Sequence, residues 1–139
     1  MLPVDEAVAL VERVRLSAAE HAARALDVLA TAVPAVRVIA LRVCPDLPPT
    51  VAERIADHRA RNVADWVMYR RELAAAAGAR GWDVHWFDAK TVLAAAGKAM
   101  GVDFEARFAG MRREVGPPWN NDHRLAMAAA IVATGDPRS

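Results

Sequence analysis

The sequence predicts a helix-dominated α/β fold: two parallel strands joined by a long crossover helix, with a long helix before them and three helices after. Three observations carry that prediction. Alanine is the commonest residue, 32 of 139, and it favours closely packed helices while burying little area per residue. Two short runs, Val36–Val43 and Trp82–Phe87, are rich in β-branched and aromatic side chains. Elsewhere apolar residues recur at helical spacing. A chain of 139 residues is long enough to bury a core as one domain, expected over 1–134, with a short tail at 135–139.

The first helix is expected over Asp5–Val33. Val8, Val11, Ala18, Ala22, Ala25 and Leu29 fall on one stripe, and Pro34 ends it. Val36–Val43 is nearly continuous in apolar character, which suits a strand covered on both faces. The turn Cys44-Pro45-Asp46-Leu47-Pro48-Pro49 stops it. Thr50 and Glu53 then form a capping box that opens a single helix to about Ala77, closed by Gly78 and Gly81. After the second strand Asp88 caps a helix through Ala99, Asp103 starts another through Val115, and Gly116-Pro117-Pro118 breaks the chain. Asn120, Asn121 or Asp122 caps the last helix, His123–Thr134, which is apolar on nearly every face and so expected to be central.

Two parallel strands are not a stable sheet in water, because their outer edges leave backbone groups unpaired. The simplest remedy is a second copy of the chain, so a homodimer is expected.

Composition narrows the function. A net charge of +1, from 18 basic and 17 acidic residues, is too balanced for the electrostatic footprint of a nucleic-acid binder. Arginine outnumbers lysine 16 to 2, which GC-rich coding explains as readily as any ligand does. Cys44 is the only cysteine, so no intrachain disulfide can form. The N-terminus is acidic and lacks the pattern of a signal peptide, and no apolar run reaches membrane-spanning length. A cytoplasmic protein is expected.

No GxGxxG, phosphate loop, HExxH or GxSxG occurs, and Ser17 and Ser139 are the only serines. No cofactor or metal is implied. Ligands of open α/β units bind beyond the carboxyl ends of the strands. That edge should hold Cys44 and Asp46 after the first strand and His85 and Asp88 at the second. Cys44 is either a small buried apolar residue or a nucleophile, and His85 either a satisfied sheet residue or an acid–base group. Asp46 and Asp88 either shape a turn and a cap or take part in chemistry.

The crossover helix places Arg59, Asn62 and Arg70 on the stripe that should face the core with Val51, Ile55, Val63, Trp66, Leu73 and Ala77. Those polar residues either line a ligand pocket or interface, or flank the stripe and reach water. Arg61 is expected to pair with Asp65 on the outer side. A further cluster, Trp119-Asn120-Asn121-Asp122-His123-Arg124, opens the last helix; Asp122 and His123 are either ligand contacts or parts of a cap.

The segments Ile39–Thr50, Asn62–Arg70, Gly81–Asp88 and Gly116–Trp119 resemble a family of uncharacterised small proteins of high-GC actinobacteria, a likeness that covers most of the chain and implies no particular activity. The order of strand, long helix, Val84-His85-Trp86-Phe87-Asp88 and then Asp122 opening an alanine-rich helix is similar to the C-terminal half of RuvC-like resolvases of the ribonuclease H-like fold. That resemblance implies carboxylates holding two metal ions for phosphodiester cleavage. Here a helix replaces the N-terminal strands, Cys44 stands where the first acid belongs, and only Asp122 matches the closing carboxylates. The expected function is therefore a homodimeric module binding a small anionic ligand or a protein partner. Two alternatives stand beside it: a small enzyme built on Cys44, Asp46, His85 and Asp88, and a degenerate ribonuclease H-like protein.

Overall fold

The N-terminal helix, α1, runs Val4–Ala32 in the computed structural model, which describes residues 2–101, 104–116 and 120–135. Pro3 precedes it and Asp5 and Glu6 occupy its first turn, where negative charge meets the unpaired amides of the helix start. Beyond its end the chain turns through Ala35, which takes φ +66° in the left-handed region that few side chains adopt.

The expected crossover helix is broken into two. Thr50 opens α2, Val51–Ala56, through the expected capping box: its hydroxyl accepts from Glu53 N at 3.2 Å, and Glu53 Oε2 accepts from Thr50 N at 3.1 Å. Asp57 then leaves helical geometry (φ −89°, ψ 117°), and its carboxylate accepts from Ala60 N at 2.9 Å. It thereby caps α3, His58–Ala79. The break resets the helical phase, so the buried stripe of α3 is Ala60, Val67 and Ala77, while Trp66, expected inside, is 41% exposed.

The Thr50 hydroxyl and amide hold the Glu53 carboxyl below the ordinary glutamate range. A carboxyl whose folded pKa lies below its unfolded value of about 4.3 contributes fully above that value and loses the contribution as pH falls through the depressed one. Glu53→Gln should therefore flatten the acid limb of the stability curve below about pH 4.3. Thermal unfolding followed across pH tests this, and identical limbs in both proteins would refute it.

The chain forms two compact units. One holds residues 1–36 and 44–82, with α1, α2 and α3; the other holds 37–43 and 83–139. In the helical unit α1 packs on α3 through Ala22, Leu26, Ala60, Val67 and Ala77, all buried. Arg15 reaches Glu72 at 3.2 Å and Arg80 pairs with Asp27, tying the two helices at their rims.

The other unit contains β1, Val38–Arg42, and β2, Asp83–Phe87, paired in parallel from Val38↔Asp83 to Arg42↔Phe87. Both are shorter than the apolar runs that announced them, because pairing ends where the partner does. No third strand joins them among the described residues. The register puts Ala40, His85 and Phe87 on one face and Ile39, Leu41, Val84 and Trp86 on the other.

Ala40 and Phe87 pack against the core formed by α4, Val92–Met100, and α6, Asn121–Gly135. At its centre lie Val92, Ala96, Ala128 and Ala129, so alanines set the close contact of the two helices. Gly101, at φ +66°, ends α4 in the left-handed cap that glycine favours. Between them α5 spans Phe104–Val115. The expected helix start at Asp103, the Pro117-Pro118 break, Trp119 and the tail 136–139 lie outside the described residues.

Candidate ligand cleft

The helical unit contains a cleft of ≈ 300 Å³ between α1, α2, α3 and the proline-rich turn before α2. Its floor is aliphatic: Val11 from α1, Leu47 from the turn, Val51 and Ile55 from α2, and Ala64, Val67 and Met68 from α3. Its rim carries four arginines, Arg15, Arg54, Arg61 and Arg71, against two glutamates, Glu12 and Glu72. No hydroxyl or amide side chain lines it.

The rim charges are not equivalent. Arg15 Nε donates to Glu12 at 2.9 Å and its Nη1 to Glu72 at 3.2 Å, so both carboxylates share one guanidinium. The hydrogen bond to Glu12, then that to Glu72, raises the Arg15 pKa further above its ordinary value. Arg54 donates to the carbonyls of Pro48 at 2.6 Å and Pro49 at 3.0 Å, which fastens the rigid turn to α2 and holds Leu47 over the cleft. Arg61 meets only the His58 ring, at 3.2 Å. Arg71 has no hydrogen bond or ion pair among the described residues. Ten residues separate Arg61 from Arg71, about 15 Å along the helix axis, so cations stand at both ends of the α3 wall.

None of the nine residues singled out in the sequence lines this cleft. Arg59 and Asn62 are exposed on α3, the flanking alternative, and half-buried Arg70 stacks over Trp66, 4.6 Å from the ring centroid. The expected Arg61–Asp65 pair does not form, because Arg61 faces His58 and the cleft. Cys44 is half-buried with a free thiol and Asp46 is exposed, both in the helical unit. His85 and Asp88 belong to the other unit. His85 is half-buried on the sheet face that carries Ala40 and Phe87.

Asp88 does not cap α4 directly; its carboxylate accepts from Lys90 N at 2.8 Å and shapes the turn, while Thr91 takes the cap position. Asp122 and His123 are exposed in the first turn of α6. Asn120 is the capping residue, accepting from Asp122 N at 2.9 Å and His123 N at 3.3 Å. Asn120 N donates in turn to His123 Nδ1 at 3.3 Å, a capping box with histidine in the usual glutamate position.

The signal that would have found the cleft is the 3-4-3 spacing of Arg61, Ala64, Met68 and Arg71, which places an arginine at each end of an apolar strip. It was hidden because a helix phased from Thr50 turns those residues away from the core.

Among the described residues no group of three or more His, Cys, Asp or Glu side chains could hold a metal ion, and no helix is long and apolar enough to cross a membrane. Comparison of the chain with protein-family models, curated proteins and solved structures finds no match.

Proposed function

We propose that this chain is a cytoplasmic, homodimeric binding module whose helical unit takes a small anionic ligand in the arginine-rimmed cleft. The observation that carries this reading is an aliphatic floor bordered by Arg61 and Arg71, neither of which pairs with a carboxylate among the described residues. Such a rim attracts negative charge, and the low-polarity floor strengthens the attraction by excluding water. A volume near 300 Å³ lies at the small end of ligand sites.

The test is calorimetric titration of small anions into the wild type and the double variant Arg61→Glu/Arg71→Glu. Binding that the charge reversal weakens about tenfold or more supports the reading, since one charge-assisted contact contributes roughly 1.5 kcal/mol or more. Equal affinity in both proteins would remove it.

The dimer is supported by the sheet, which ends at two strands with an open outer edge on each among the described residues. Light scattering at micromolar concentration should give twice the chain mass of 15.0 kDa. A stable monomer would sink that part. The single free thiol, Cys44, fits a reducing compartment.

A further inference from the structure

Resting on that anionic-ligand reading, we infer that the occupant is an amphiphilic monoanion: a carboxylate held by Arg71, with an unfunctionalised apolar body lying along α3 over Val67 and Met68. The lining favours an apolar body. A sugar, nucleotide or polyol over the floor would bury hydroxyls against Val51, Ile55, Ala64, Val67 and Met68, whose side chains offer no hydrogen bond. At the rim, Arg15, Glu12 and Glu72 already bond to one another and Arg54 to the turn carbonyls. An aliphatic or aromatic body needs only the apolar walls, which α2 and the turn complete through Leu47, Val51 and Ile55.

The head group is set by the distribution of charge. Arg15 is committed to two glutamates and Arg54 to two backbone carbonyls. Arg71 keeps its planar fork open, and a guanidinium fork matches a carboxylate with two parallel hydrogen bonds. Glu12 and Glu72 line the same cleft and oppose a dianion more strongly than a single charge. Arg61 stands about 15 Å from Arg71 along the axis, too far for both forks to close on one small head group.

Octanoate, octanol and inorganic phosphate, titrated separately into the full chain, separate this inference from the reading beneath it. Octanoate should bind, and Arg71→Gln should weaken it about tenfold or more, the worth of a charge-assisted pair. Arg71→Lys, which keeps the charge and loses the fork, should recover part of the affinity. Arg59→Gln, on the same helix outside the cleft, should change nothing, and circular dichroism of each variant should match the wild type. Phosphate binding without octanoate binding would overturn the amphiphile while leaving an anion site in place. Octanol binding as tightly as octanoate would overturn the role of Arg71. Failure of both octanoate and phosphate would remove this inference and the anionic reading together.

Discussion

Leu26→Ala is expected to lower the stability of the helical unit by about 3 kcal/mol, the middle of the range for truncating a buried leucine. Leu26 is 5% exposed, and with Val67 it supplies the only branched side chains among the buried residues of that unit; Ala22, Ala60 and Ala77 supply the rest. Alanines bring helices close but leave little to collapse into a vacated volume, so the cavity should persist and its cost with it. Against a total of roughly 5–15 kcal/mol for a domain, the loss is a large share. Urea denaturation followed by far-ultraviolet circular dichroism measures it. Leu16→Ala, on the same helix at 55% exposure, is the control and should stay within about 0.5 kcal/mol of the wild type. Equal effects at the two positions would mean that the burial pattern of α1 is wrong.

The other large effect runs in the opposite chemical direction. Ala129→Leu adds bulk where α6 meets α4, and it should destabilise the strand-containing unit by about 1–3 kcal/mol. Ala96, Ala128 and Ala129 are each 0% exposed, so the space between the two helices is that of methyl groups. A leucine there must push α6 away from α4 or adopt a strained rotamer. The enlarged side chain is more apolar, so an account based on hydrophobicity alone predicts the reverse sign. A stabilised variant in urea denaturation would refute the close contact of α4 and α6 at this position.

Much of the fold is legible in the sequence alone. Alanine-rich segments at helical spacing and two β-branched runs specify element type through local sterics and side-chain entropy, which act residue by residue. The parallel pairing of β1 and β2 follows from the intervening helical length, since a hairpin needs only a short turn. The capping box at Thr50 and Glu53 is equally local, and it forms as the spelling of the sequence implies.

The cleft was not legible, for a reason that can be placed at one residue. Asp57 suits a cap, which contributes about 1 kcal/mol, but nothing in Ala56-Asp57-His58 marks a break in an otherwise helical pattern. Each residue of an α-helix advances by about 100°, so the break changes which side chains of the first turns of α3 face inward, although Ala77 is buried as expected. Trp66 and Arg59 moved outward, and Met68 and Arg71 moved to the cleft.

Taken alone, the sequence determined the kind and order of the elements, apart from the break at Asp57, because those depend on neighbours a few positions away. Which face of α3 is buried, which arginine is spent on a glutamate and which is left open were decided by tertiary packing. Those outcomes depend on residues as far apart as Arg15 and Glu72, whose meeting no local rule contains.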